Sequence, residues 1–314
     1  MKVTALAGGI GAGKFLRGLA RVIPGDDLTV IVNVADDIVV HGLRVSPDPD
    51  SVTYWMGNAF DRDRGWGRRE ETFRATGEVA AFDAERAWFG LGDLDLGTHL
   101  FRTGLLGEGV SLTEIMRRIG RRFGVSARLL PASEDRVETR IDCIDDAGAI
   151  LDLHFQEYWV KRRGLDAVTG VRYEGAAEAR PAPGVLDAIA RADAIVFCPS
   201  NPVVSIGPIL AVPGTRDAVA ARRDRAVGVS GIVGGGPVAG MADKLMPAVG
   251  IEVSALGVAV HYRDLLSGWL LDDVDASSVP DVEALGIRCA ATDTIMTDDV
   301  RAEAVARGVL ELLT

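Results

Sequence analysis

Cysteine is scarce in this chain. Cys143, Cys198 and Cys289 are the only three in 314 residues, and they lie far apart. That spacing builds neither a zinc-ligand cluster nor a disulfide framework, so a reducing cytoplasm is the expected setting. Histidine is nearly as rare, with four residues, which leaves little material for a His-built metal centre. Positive charge is in deficit: Lys plus Arg total 34 against 45 Asp plus Glu, a formal net charge of −11. Broad affinity for DNA, RNA or anionic lipid is therefore not expected. No apolar run approaches the ~18–20 residues of a membrane-spanning helix. The apolar start, Val3 to Ala7, breaks at a glycine pair and is too short for a signal-peptide core. Internal repeats and low-complexity linkers are also missing.

What is present is ordinary globular composition, 48% hydrophobic and 25% charged. The expectation is an α/β fold with a Rossmann-like core. It is a mainly parallel sheet, with one small antiparallel hairpin and a helical insertion, forming a single domain over 1–314. Val3 to Ala7 reads as a buried strand. Gly8-Gly9-Ile10-Gly11-Ala12-Gly13 follows as a turn, and Phe15, Leu16, Leu19, Val22 and Ile23 recur at helical spacing. Leu28 to Val34 then completes a βαβ unit. The stretch from about 51 to 124 reads as the mainly helical insertion. Within it, Ser111 caps a helix, Glu114 completes a capping box, and Leu112, Ile115, Met116, Ile119 and Phe123 share one apolar face. Val125–Leu130, Val137–Ile144 and Ile150–Phe155 read as strands, the last two as an antiparallel hairpin across Asp145 to Gly148. Ala194–Phe197 and Ala226–Val229 are further buried strands, and a last helix starts near Thr297.

Three constellations carry candidate chemistry. Gly8, Gly9, Gly11 and Lys14 sit between a strand and a helix, where backbone N–H groups and the helix dipole can hold a phosphate; a tight structural turn is the competing reading. The stretch nearly matches a P-loop, but Phe15 stands where the metal-binding hydroxyl belongs, which speaks against a P-loop kinase. Val32-Asn33-Val34-Ala35-Asp36-Asp37, followed by His41 to Asp50, places acids after a parallel strand, where α/β folds put ligands. Such carboxylates hold Mg²⁺ through oxygen or accept a proton from a hydroxyl nucleophile, unless they are solvated loop acids and helix caps. Later loops, Pro199 to Pro202 with Ser200 and Asn201, and Ser230 to Pro237 with Ser230 and Gly234, add two more phosphate-friendly turns. Residue chemistry alone stops at a nucleotide- or phosphate-ester-binding α/β protein.

The order of these motifs resembles the 2-phospho-L-lactate transferase family. The resemblance rests on Ala7 to Gly11, Val32 to Asp37, His41 to Asp50, Arg64-Gly65-Trp66-Gly67, Leu91-Gly92-Asp93 and Thr98-His99-Leu100. It continues with His154-Phe155-Gln156-Glu157, Pro199 to Gly207, Met241 to Pro247 and Asp293 to Thr297. The resemblance spans nearly the whole chain. It implies a transferase of coenzyme F420 biosynthesis that requires Mg²⁺ and acts as a cytoplasmic homodimer. The acceptor would be the deazaflavin FO, through its terminal ribityl hydroxyl. The donor would be a guanosine diphosphate ester of 2-phospholactate or phosphoenolpyruvate, and GMP would leave. It further implies Asp36, Asp37 and Asp50 as the metal and hydroxyl-orienting acids, Gly8, Gly9, Gly11, Lys14, Ser200, Asn201, Ser230 and Gly234 around the donor, and Asp50, Tyr54, Trp66, Asp93 and Leu94 around FO. Leu94 stands where the family has a basic residue, and Pro49 where it has Leu. A nucleotide-sugar-binding regulator with the same core and no turnover is the alternative.

Overall fold

The structure, a computed structural model, describes residues 1–313. Its strands, in chain order, are β1 (Val3–Ala7), β2 (Leu28–Val32), β3 (Ile38–Val40), β4 (Leu43–Val45), β5 (Arg128–Pro131), β6 (Glu138–Ile144) and β7 (Ile150–His154). They continue with β8 (Ala167–Glu174), β9 (Ala194–Phe197), β10 (Ala226–Val229), β11 (Ile232–Val233), β12 (Gly236–Pro237), β13 (Gly268–Asp272) and β14 (Arg288–Thr292). Seven of them form one sheet in the order β14-β13-β10-β9-β1-β2-β5. Every pairing in it is parallel.

Strands β1, β9, β10 and β13 are buried at every residue, which is why they read as continuous apolar runs rather than alternating ones. Their side chains still alternate between two cores. Leu6, Ile31, Ile195 and Phe197 enter one cluster, while Ala5, Val30, Ala194 and Val196 enter the other. The second core lies under α1 (Gly9–Val22) and the terminal helix Asp299–Glu311. These two helices meet at Gly18, where a Cβ would overlap the backbone of Ala302 and Glu303.

The chain runs outward from β1 to β2 and β5, then returns to place β9 on the other side of β1. The crevice at the carboxyl ends of β1 and β9 is thus the topological switch point, where open α/β sheets bind ligands.

Between β4 and β5 come α2 (Pro47–Met56), α3 (Arg74–Phe82), α4 (Asp93–Gly107) and α5 (Leu112–Arg122). Ser111 caps α5 through the Glu114 N–H at 3.3 Å, and Leu112, Ile115, Met116 and Ile119 are buried, as the spacing requires. Helix starts at Pro47 rather than 51. Proline suits a first turn because its missing N–H has no helical partner there. Asp48 and Asp50 therefore lie on a helix, not in a loop.

The expected hairpin is enlarged: β8 pairs with β6, giving the three-stranded antiparallel sheet β7-β6-β8. Two further small hairpins, β3-β4 and β11-β12, also form. Strands β8, β13 and β14 escape the sequence reading: β8 mixes apolar and polar residues, β14 is Arg-Cys-Ala-Ala-Thr, and β13, Gly-Trp-Leu-Leu-Asp, is a short apolar run that the reading passes over. Among the described residues no helix is long and apolar enough to cross a membrane.

Gly97 and Gly104 lie on the exposed side of α4, and a Cβ at either would meet nothing within 4 Å. Gly97→Ala and Gly104→Ala should each stabilise the protein by roughly 0.5–1 kcal/mol through helix propensity alone. A rise in the denaturant midpoint checks this.

Candidate functional site

A cavity of about 650 Å³ opens at the switch point. Its floor is the glycine turn after β1 and the segments Pro199–Asn201 and Ser230–Ile232 after β9 and β10. Helix α1 begins there with Gly8 as N-cap. It has no side-chain cap from its own N-cap residue and no acid in its first turn, an end suited to an anion. Gly9 takes φ +75°, a left-handed conformation that favours glycine. A Cβ on Gly8 would collide with Asp48 and Ser205, and one on Gly11 with the Pro199 carbonyl. The crevice is therefore narrow because these residues lack side chains. The Gly8 N–H is taken by Ser200 Oγ at 3.3 Å and the Gly9 N–H bonds the Asp48 carboxylate, so the donors left for an anion start beyond Gly9. Lys14 lines the cavity, and its ammonium lies 5.7 Å from the Trp55 ring centroid. Phe15 is wholly buried, so nothing replaces the P-loop hydroxyl.

Asn33 organises the acidic wall. Buried after β2, it donates to Asp48 Oδ2 at 2.9 Å and to the Val204 carbonyl at 3.1 Å, and it accepts from the Ala35 N–H at 2.9 Å. Asp36 and Asp48 both line the cavity and both are buried. Burial and the neighbouring Asp48 charge push Asp36 well above the ordinary carboxylate range. Burial pushes Asp48 up to about 7, with the Asn33 hydrogen bond opposing. Among the described residues Asp36 Oδ1 has no hydrogen-bond partner.

A second polar chain runs through α2 and α4. Asp50 is ion-paired with Arg102, and both are buried. Arg102 Nη1 also donates to His99 Nδ1 at 3.2 Å. That leaves His99 Nε2 facing Asp95 Oδ2 at 3.5 Å, while the Tyr54 hydroxyl bonds Asp95 Oδ1. Asp95, His99 and Arg102 follow i, i+4, i+7 spacing, which puts them on one face of α4. The far oxygen of Asp50, Oδ2, is buried 3.7 Å from His99 Nδ1 and has no hydrogen-bond partner among the described residues, and its residue lines the cavity. Burial raises the Asp50 pKa while Arg102 opposes the shift. Trp66 lies half-exposed at the cavity, beneath the Arg64 guanidinium at 5.0 Å.

The geometry separates the residues singled out from sequence. Gly8, Gly9, Gly11, Lys14, Asp36, Asp50, Tyr54, Trp66, Ser200, Asn201 and Ser230 line one cavity. Asp37 does not: its Oδ2 is held by Ser46 Oγ at 2.7 Å and Arg44 Nε at 3.0 Å. Neighbours in a tight turn point apart, and here only Asp36 faces the cavity. Asp36, Asp37 and Asp50 form no three-ligand group; among the described residues the one that does is Asp50, Asp95 and His99, already carrying the Arg102 guanidinium. Asp93 caps α3, accepting from the N–H groups of Ala75 at 3.0 Å and Arg74 at 3.1 Å, and Leu94 is exposed outside the cavity. Gly234 donates to Asp275 at 3.0 Å, and Gly231 takes its place in the lining. Sequence reasoning missed Asp95 and Arg102 as site residues and left Asp48 unassigned.

The Asp48 carboxyl binds its proton more tightly folded than unfolded. Its contribution therefore favours folding below about pH 4, weakens as pH rises toward 7, and is level above that. In protein free of divalent cations, Asp48→Asn should gain melting temperature over wild type, and the gap should widen from pH 5 to pH 8. Parallel melting curves would refute it.

Comparison with known proteins identifies the family. Residues 3–305 match the family described as 2-phospho-L-lactate transferase CofD. The chain is 51% identical over 313 residues to the phosphoenolpyruvate transferase of Streptomyces griseus, covering 99% of this chain and 98% of that one. It is 49% identical over 314 residues to the phosphoenolpyruvate transferase of Kitasatospora aureofaciens, with the same coverage. A Bacillus halodurans protein described as a UPF0052 family member superposes with a TM-score of 0.62 at 20% identity, covering 99% of this chain and all of that one, a likeness of fold. The chain belongs to the 2-phospho-L-lactate transferase CofD family.

Proposed function

We propose that the protein transfers a phosphoenolpyruvyl or phospholactyl group from a guanosine diphosphate-type donor to the terminal ribityl hydroxyl of FO, with release of GMP. The shared name of its relatives favours the enolpyruvyl donor. The observation that carries the reading is Asp50 Oδ2, a buried carboxylate oxygen that makes no hydrogen bond among the described residues and lies 3.7 Å from His99 Nδ1, on the wall of a cavity floored by the N-terminus of α1. Its other oxygen is fixed by Arg102, so Oδ2 is aimed rather than free to rotate. In this role it accepts the hydroxyl proton while the hydroxyl oxygen bonds to the distal phosphorus. The phosphorus–oxygen bond to GMP breaks, and its electron pair leaves as a phosphate oxygen. The leading N–H groups of α1 and the Lys14 ammonium offset the charge of the donor.

Mg²⁺ fits Asp36 and Asp48 better than the acids expected from sequence. Both line the cavity, among the described residues neither has a cationic partner, and burial, with the Asp48 charge added at Asp36, raises the proton affinity of both, a cost that a bound cation would offset. Bound there, the ion would neutralise donor phosphate charge. Asp37 and Asp50 already have arginine partners.

Purified protein given FO, a guanylated phosphoenolpyruvate donor and Mg²⁺ should release GMP with formation of the FO phosphodiester. Chelation should stop turnover, and added Mg²⁺ should restore it. Binding of a UDP-sugar with no GMP release would favour the regulatory alternative.

A further inference from the structure

Two motif stretches, His154 to Glu157 and Met241 to Pro247, have no role in the chemistry above, yet both reach the same cavity. The first is built around His154. Its Nδ1 accepts from the Gln156 N–H at 3.1 Å, and its Nε2 faces the Asp37 carbonyl at 3.2 Å, which fixes one neutral tautomer. A π-turn follows over Glu157–Lys161. Such turns interrupt regular helix at a cost and recur at functional sites. A second one, Pro202–Ile206, also borders the cavity.

The turn presents Gln156 and Trp159 to the cavity. Gln156 is buried, and among the described residues its carboxamide makes no hydrogen bond. Trp159 is half-exposed. Met241 and the Trp159 ring crowd the same glycine: a Cβ on Gly164 would come 2.7 Å from Met241 Cε and 3.5 Å from Trp159 Cε3. Lys244 ties the second stretch to the first through the Gly164 carbonyl. Phe155 and Val160 complete an apolar wall around one free carboxamide.

We propose that Gln156, with the Trp159 ring and Met241 beside it, is a recognition subsite for a flat heterocycle whose edge carries an N–H next to a carbonyl. A carboxamide offers one acceptor and one donor side by side, the complement of that edge. The indole supplies a stacking face, and the thioether adapts to ring shape. This inference rests on the transferase reading for its ligands. Both have the required edge: the guanine of the donor and the pyrimidinedione of the deazaflavin.

The test measures binding of GMP and of FO separately, by calorimetry and by FO fluorescence, to wild type, Gln156→Leu and Trp159→Leu. Both variants should weaken the same one of the two ligands, roughly five- to tenfold for Gln156→Leu. The other ligand should stay within about twofold, and the melting temperature should hold. The ligand affected identifies the occupant. If both ligands bind as in wild type, or both weaken alike, the subsite is refuted. A wild type that binds neither ligand removes the transferase reading instead. UMP, which carries the same edge, then tests Gln156 alone, and equal UMP affinity in wild type and Gln156→Leu would refute the subsite.

Discussion

Asp50→Asn is expected to lower kcat by at least about a hundredfold, the usual worth of a positioned proton acceptor, with much less effect on the donor KM. Asparagine keeps the shape and still accepts from Arg102, but it cannot take up a proton at neutral pH. Asp50→Ala is expected to do something different. Read as a loop carboxylate, Asp50 would be removable without cost to the fold. On α2 it is the partner of Arg102, which is only 1% exposed. Deleting the carboxylate strands a buried guanidinium, a change worth about 3–5 kcal/mol. A thermal melt therefore grades the two variants: Asn, which keeps a hydrogen bond to Arg102 but not its counter-charge, falls less, and Ala, which keeps neither, falls several degrees further. Wild-type turnover in Asp50→Asn would remove Asp50 from the chemistry.

Gly11→Ala carries the second large effect. The added Cβ would strike the Pro199 carbonyl oxygen, which is backbone and cannot rotate away. The first turn of α1 must then part from the segment after β9, and the donor cradle widens. We expect kcat/KM for the donor to fall roughly a hundredfold, the scale of a displacement near 1 Å, and stability to drop by about 1–3 kcal/mol. On the proposed reading FO affinity should be little changed, since Asp50, the acid assigned to the acceptor, lies on α2 away from this contact. An unchanged kcat/KM would mean that the phosphates do not pass through this crevice.

The parts legible in sequence were those whose signal is local. Strands β1, β2, β9 and β10 are short apolar runs, three of them followed within two residues by glycine or proline, and a fully buried parallel sheet demands such runs. The capping residue and apolar face of α5 were equally plain. Failures came where one local pattern serves two ends. Asp93 follows a glycine like a site acid, but its oxygens satisfy the first turn of α3. Asp36 and Asp37 are indistinguishable as a pair until the turn points one inward and Arg44 claims the other. Arg102 sits between Phe101 and Thr103 and reads as a solvated arginine. The signal that would have found it is the shared face with Asp95 and His99. Gln156 gave no chemical hint, because a free carboxamide is visible only when its surroundings are known.

The placement of β9 beside β1 also has a consequence for synthesis. Val3 pairs with Ala194, so the cradle joins the two ends of a 191-residue span. A ribosome adding about 5–20 residues per second leaves the inner edge of β1 without its partner for on the order of ten seconds. During that interval β1 and β2 expose a short apolar ribbon with an unpaired row of peptide groups, open to any passing strand. The nascent chain is most vulnerable to mispairing at the segment that borders the cavity, and that cavity is among the last features the growing chain completes.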